Sequence, residues 1–304
     1  MIASPSMRVL VTGSSGLVGS ALVPYLAERG CHVTRLVRRS GLGPGTVKWD
    51  PVAGTIDREA LRGVQAAVHL AGESIMGRWT PAKKAAIRES RTEGTRRLCD
   101  ALWTLSPPPS TLICASAMGF YGDRGAERLD EDSPQGFGFL ADVCRAWEDA
   151  TDRASERGMR VVNMRIGLVL SRRGGALAAM LPPFLFGLGG PVGRGAQYWS
   201  WIMLEDLLGA IHHVLTLPTL RGPVNAVAPQ PVTSREFAHA LGRALWRPAV
   251  LPLPAAAVNL LMGEMGRSLL LASARVEPRR LLATGFQFRY PELSAALSQA
   301  LRKR

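Results

Sequence analysis

The sequence is short of lysine, of aromatic residues and of paired cysteines. Only four of its 37 basic residues are lysine, aromatics make up 6% of 304 residues, and no C-x-x-C spacing occurs. Each shortage excludes something. The four cysteines, Cys31, Cys99, Cys114 and Cys144, are far apart in apolar or helical contexts, so they read as reduced thiols of a cytosolic protein. No apolar run is long enough to span a bilayer, and the nearest, residues 250–262, is interrupted by Pro252 and Pro254. The first residues lack the charged start and long apolar centre of a signal peptide, so a cytoplasmic location is expected. The five histidines have no ligand spacing with cysteines or carboxylates, and no metal is expected. The net charge is +13, yet its arginines are spread along the chain and no basic stretch is interleaved with stacking aromatics. A solvated basic surface that favours polyanionic small molecules is the expected reading. The expected partner is a small-molecule substrate, with no nucleic acid and no membrane. A homodimer is left open.

What is present is a core-forming chain, 47% apolar and 20% charged. Its first half alternates strands and helices. Strands are expected at residues 8–12, 32–37, 66–71, 111–116 and 160–165, and helices at about 17–28, from Pro81 toward Leu105, and at about 140–156. That alternation predicts an α/β fold, a Rossmann-type doubly wound parallel sheet with ligands at the carboxyl ends of its strands. Beyond Gly167 glycine and proline become frequent, as in Gly174-Gly175, Pro182-Pro183 and Gly187-Leu-Gly-Gly-Pro191. The expected organisation is a nucleotide-binding domain over residues 7–228, with a Gly/Pro-rich, loop-built cleft wall at about 171–204. A small, mainly helical C-terminal domain over 229–304 completes it.

The strongest local signal is Thr12-Gly13-Ser14-Ser15-Gly16-Leu17-Val18-Gly19, between a strand and a helix. Gly13 permits the tight turn, Gly16 lets backbone approach a pyrophosphate, and Gly19 permits close helix–strand packing. The N–H groups of the helix start then face the phosphates. An NAD site usually has a carboxylate at the end of the second strand. Here that strand ends in Arg38-Arg39-Ser40, two guanidiniums and a hydroxyl suited to a 2′-phosphate. NADP(H) is therefore the expected cofactor.

With those residues in view, the chain resembles the short-chain dehydrogenase/reductase superfamily, and within it an atypical subgroup of the extended, NAD-dependent epimerase/dehydratase type. The resemblance rests on Thr12 to Gly19, Val68-His-Leu-Ala-Gly-Glu73, Arg78-Trp79, Ser90-Arg-Thr-Glu-Gly-Thr95 and Ser116-Ala-Met-Gly-Phe-Tyr-Gly122. It continues through Phe139 to Cys144, Trp147-Glu148, Gly189-Gly-Pro191 and Ser200 to Asp206. The stretch from Asn225 through Phe286 resembles the small C-terminal domain of that subgroup. The resemblance implies NADP(H), with Arg39 on the 2′-phosphate and Leu70-Ala71-Gly72 beside the cofactor.

One departure matters for chemistry. The superfamily's Tyr-x-x-x-Lys pair falls on Leu140 and Cys144, neither of which can perform its role. An upstream Asn matches Arg91, which could hold the cofactor ribose or phosphates in place of the lysine. Ser116 lies in the segment of the usual substrate-binding serine, although strict spacing points to Ala117. Four residues are left as catalytic candidates: Glu73, Tyr121, Ser116 and Cys144, with Glu73 and Tyr121 ranked above Cys144 because both follow strand ends. Trp79, Trp199 and Trp201 could wall a substrate cleft or pack the core. Two functional readings follow: an NADP(H)-dependent oxidoreductase or epimerase with a non-standard proton relay, and a non-catalytic NADP(H) sensor or scaffold.

Overall fold

In the computed structural model, which describes residues 7–38, 43–51 and 53–302, the chain begins with β1 (Arg8–Thr12), α1 (Leu17–Ala27) and β2 (His32–Val37). Next come β3 (Thr46–Asp50), β4 (Thr55–Ile56), β5 (Ala66–His69), α2 (Pro81–Trp103) and β6 (Thr111–Ala117). After β7 (Arg128–Leu129) stand α3 (Phe139–Asp149), α4 (Asp152–Glu156), β8 (Arg160–Ile166) and β9 (Leu168–Leu170). The later half holds α5 (Gly175–Leu185), β10 (Tyr198–Trp199), β11 (Trp201–Met203), α6 (Leu204–Thr216), β12 (Gly222–Ala226) and β13 (Val232–Thr233). It closes with α7 (Ser234–Leu245), α8 (Ala255–Gly266), β14 (Arg275–Val276), α9 (Arg279–Ala283) and α10 (Leu293–Leu301).

Eight strands form one sheet in the order β12-β8-β6-β5-β1-β2-β3-β4. All its pairs are parallel except β3 with β4. The central strands are apolar on both faces, as a sheet covered by helices requires: every residue of β5 is buried, and so are the first six of β6. On one face α1 and α6 bury Leu22, Leu26, Leu207 and Ile211. On the other, α2 and α4 bury Leu98, Leu102 and Ala154. Strand order reverses between β1 and β5, and their last residues, Thr12 and His69, are register partners. That reversal opens a crevice at the carboxyl ends, where a doubly wound sheet takes its ligand.

Three local features differ from expectation. β3 and β4 add an antiparallel edge, with Val47 and Trp49 buried between exposed Lys48 and Asp50. The helix expected at 140–156 is broken into α3 and α4, where the Thr151 hydroxyl donates to the Glu148 carbonyl at 2.7 Å. The stretch expected as loops contains α5, which buries Leu177, Leu181 and Phe184 despite Pro182 and Pro183. Those residues join Phe237, Leu241, Val258 and Leu297 in a second apolar cluster, so the stretch packs with the C-terminal helices.

Candidate functional site

The crevice is floored by the glycine-rich turn. Gly13 has φ +67°, and a Cβ there would lie 2.7 Å from the Ala71 nitrogen and the Leu70 carbonyl carbon. A Cβ on Gly19 would collide with the Gly13 carbonyl oxygen. Both glycines are thus required by the protein's own packing. Gly16 differs: a Cβ there meets only the Gly13 oxygen, at 3.4 Å, so its absence leaves room on the crevice side. Gly16 is also the N-cap of α1, without a side-chain cap and with no acidic residue in the first turn. The first N–H groups of α1, at Leu17 and Val18, therefore sit at a positive helix end suited to phosphate. Ser15 is exposed on the same turn.

Beneath this turn runs a buried polar chain that sequence reasoning missed. The Thr12 hydroxyl oxygen accepts from the Leu70 and Ala71 N–H groups at 3.2 and 3.3 Å. Its own hydrogen is then left for His69 Nδ1, 2.6 Å away. His69 Nε2 consequently carries the ring hydrogen and donates to the Thr95 hydroxyl at 3.1 Å, which also accepts from Trp147 Nε1 at 3.1 Å. Burial, helped by the Arg91 charge, holds the His69 pKa down to about 4, so the ring is neutral. This chain ties β1, β5, α2 and α3 together directly under the crevice. Its members, Thr12, His69, Thr95 and Trp147, fall in four separate motifs of the sequence, and nothing local shows that they meet.

After β5 the chain turns over Leu70, Ala71 and Gly72. A Cβ on Gly72 would press on the Arg91 guanidinium at 3.3 Å. Arg91 projects from α2, donates through Nη1 to the Glu73 carbonyl at 3.0 Å, and lies 4.9 Å from the centre of the Trp147 ring. Its Nε and Nη2 make no hydrogen bond within the described residues, which leaves them for an anion or ribose in the crevice. The Glu73 carboxylate is paired with Lys83 Nζ at 2.6 Å. That bond and charge, with Arg38 and Arg91 nearby, hold the Glu73 pKa below the usual carboxylate range. Arg38 is exposed at the end of β2, whereas Arg39 and Ser40 lie outside the described residues.

The remaining candidates are placed very differently from Glu73. Tyr121 is fully buried, and its hydroxyl lies 2.9 Å from the Asp130 carbonyl and 2.7 Å from Asn225 Oδ1, while accepting from Arg165 Nη1 at 3.0 Å. Burial pushes its phenol up to about 12. Tyr121, expected at a strand end on the ligand side, does follow β6, but its hydroxyl turns inward to Asp130, Asn225 of β12 and Arg165 of β8. Cys144 is also buried, and burial together with the Glu148 charge pushes its thiol up to about 12. Leu140 and Cys144 pack against the backbone at Gly119, whose Cβ would lie 3.2 and 3.7 Å from them. Ser116 is buried and donates to Glu148 Oε1 at 2.7 Å. Glu148 in turn takes a two-pronged bond from Arg165, at 2.8 Å on each oxygen. Ser116 and Cys144 are thus held within the protein, and among the four candidates only Glu73 keeps an accessible titratable atom.

The far wall comes from the C-terminal helices. Lys84 of α2 pairs with Glu264 at 2.8 Å, and the Gly77 N–H donates to Met265 Sδ at 3.3 Å. Trp79 meets Phe139 edge-on at 5.1 Å in the loop between β5 and α2. Trp199 and Trp201, considered as cleft walls from the sequence, are buried in the second apolar cluster. Among the described residues no group of three or more His, Cys, Asp or Glu could hold a metal ion.

The model of the NAD dependent epimerase/dehydratase family matches residues 9–226, and that of a domain of unknown function, DUF1731, matches residues 253–300. An epimerase family protein of Mycobacterium bovis is 43% identical over 293 residues, which cover 96% of this chain and 97% of the relative. The human epimerase family protein SDR39U1 is 40% identical over 297 residues, 96% of this chain and 99% of the human one. A crystal structure of that human protein with NADPH superposes with a TM-score of 0.90, covering 97% of this chain and 99% of the other. UDP-glucose 4-epimerase from Thermus thermophilus, in complex with NAD, shares the fold at a TM-score of 0.74 and 22% identity.

Proposed function

The chain belongs to the NAD dependent epimerase/dehydratase family, and from that premise we propose that it is an NADP(H)-dependent oxidoreductase or epimerase of a small molecule. The observation that carries this reading is the turn from Gly13 to Gly19. Two of its glycines are consumed by internal packing, while the third leaves an open approach to an uncapped helix start. Arg38 and Arg39, with no carboxylate in the second strand's end, favour the 2′-phosphate form, and a relative of 40% identity was crystallised with NADPH.

When bound, the nicotinamide supplies or accepts the hydride. The chain's residues do the rest. Leu17 and Val18 offer N–H groups to the pyrophosphate. Arg91 stands in the crevice as the fixed cation that the superfamily's lysine would otherwise provide. Glu73, ionised and accessible, would take the proton that a substrate hydroxyl loses on oxidation; in carbonyl reduction, the reverse direction, it would pass a proton from solvent to the carbonyl oxygen, and Lys83 holds its charged form. Leu140 and Cys144 exclude water from the place of the missing phenol and ammonium. The test is NADPH oxidation across a broad carbonyl panel, beside direct NADPH binding. Turnover that Glu73→Gln lowers about 10²–10⁴-fold supports the reading, and an undiminished rate in that variant overturns the role of Glu73.

A second reading, a non-catalytic NADP(H) sensor, is favoured by one observation: three of the four candidate groups are sealed inside the protein. NADPH binding without turnover on any carbonyl of the panel selects it.

A further inference from the structure

The surface formed by the end of α5 and the chain after α7 is apolar and lies outside the nucleotide site. Phe186 is 82% exposed, Trp246 91%, Leu188 63% and Val250 67%. The two segments are one unit of backbone. Arg247 Nε donates to the Leu185 carbonyl at 3.1 Å, the Leu251 N–H to Gly189 at 3.2 Å, and the Leu253 N–H to Pro191 at 2.9 Å. The segments that carry the exposed side chains are thereby tied together. Trp246 also has φ +55°, left-handed backbone at a helix end where glycine is the usual residue. Neither the core nor the crevice uses this tryptophan.

Charge on the two segments is of one sign. No Asp or Glu occurs between Arg157 and Leu204, and none between Phe237 and Gly263, whereas Arg194, Arg243 and Arg247 stand among the apolar residues. A second copy docked about a two-fold axis would set such a face, cations included, against itself. Side chains this exposed protrude and do not line a groove, so a folded partner would need matching pockets, while a fluid interface would not. Tryptophan with arginine, and no carboxylate, is the composition that anionic bilayer surfaces attract.

We propose that this face seats the protein on an anionic lipid surface, with Phe186 and Trp246 entering the headgroup boundary and Arg243 and Arg247 meeting the lipid charges. The contact is peripheral: no helix among the described residues is long and apolar enough to cross a membrane. It departs from the expectation, drawn from the absence of a spanning segment, that the chain has no membrane partner.

Co-sedimentation of the full chain with vesicles tests it, using phosphatidylcholine alone and phosphatidylcholine mixed with phosphatidylglycerol. The protein should pellet with the mixed vesicles and stay in solution with the neutral ones. Phe186→Ser combined with Trp246→Ser should lower partitioning about tenfold or more, and Arg243→Gln about fivefold, each with an unchanged thermal midpoint. Failure to pellet with the mixed vesicles overturns the proposal. Equal pelleting by the double variant overturns it too, since attraction would then be the general effect of a basic protein. A lipid-free dimer that the double variant dissolves would assign the face to a second copy instead.

Discussion

The two ends of the crevice are built on opposite principles. At the end proposed for phosphate, backbone is what the protein offers: Gly13 and Gly19 are interlocked, Gly16 is open, and α1 presents bare N–H groups. At the proton-handling end, side chains that could do chemistry are turned inward and tied up. Tyr121, Ser116, Glu148 and Arg165 form one buried network, and Leu140 and Cys144 pack where a phenol and an ammonium are expected. A glycine-built cradle thus stands beside positions where packing by Leu140 and Cys144 takes the place of the usual acid/base pair. Among the four candidates only Glu73, half-buried against Lys83, offers an accessible titratable group.

The largest expected effect that would break this contrast comes from the buried pair. Glu148→Ala leaves Arg165 without its counter-charge and should cost about 3–5 kcal/mol in a denaturant titration. A loss under about 1 kcal/mol would mean that the network does not support the sheet's carboxyl edge. The next effect concerns His69. Its folded pKa, about 4, lies below the ordinary value of 6.5, so the unfolded chain binds the extra proton first. The stability this gives is fully present above pH 6.5 and is lost as the pH falls toward 4, by about 3 kcal/mol in all. His69→Gln should flatten that part of the stability–pH curve, and an unchanged slope would contradict a neutral, fully buried ring. Third, Arg39→Asp should weaken NADPH binding by about 1.5–3 kcal/mol while leaving NADH nearly unaffected. The smallest effect sharpens the contrast from the other side. Cys144→Ala should retain NADPH affinity and, where turnover exists, most of the rate. Abolished turnover with intact binding would reinstate a thiolate mechanism.

Much of the first half of the fold could be read locally. Strand ends, the glycine turn and the start of α2, where Thr80 caps and Pro81 opens the helix, all carry their signal within a few residues. The antiparallel edge was readable in principle, because Thr46-Val-Lys-Trp-Asp50 alternates buried and exposed positions. α5 was not, since Pro182 and Pro183 mask a helix that tertiary burial of Leu177, Leu181 and Phe184 supports. At the site, the glycine cradle was legible and the proton-handling groups were not. Whether Tyr121 faces a cleft or the core is decided by Asp130, Asn225 and Arg165, residues up to 104 positions away in sequence. Strand-end position alone carries no information about that choice. Glu148 and Arg165 each belong to a recognisable element, yet only the packing of α3 on β6, the neighbour of β8, makes them a pair.

Fluorescence titration of NADPH and NADH with the wild-type chain and with Gly16→Val separates a phosphate cradle from a purely structural turn. A Cβ on Gly16 meets only the Gly13 oxygen, at 3.4 Å, so the variant is expected to fold with a near-normal thermal midpoint while its side chain fills the open approach. The expected result is tighter binding of NADPH than of NADH by the wild type, and loss of both by the folded variant. Normal NADPH binding by Gly16→Val, or equal affinity of the wild type for the two nucleotides, would contradict it.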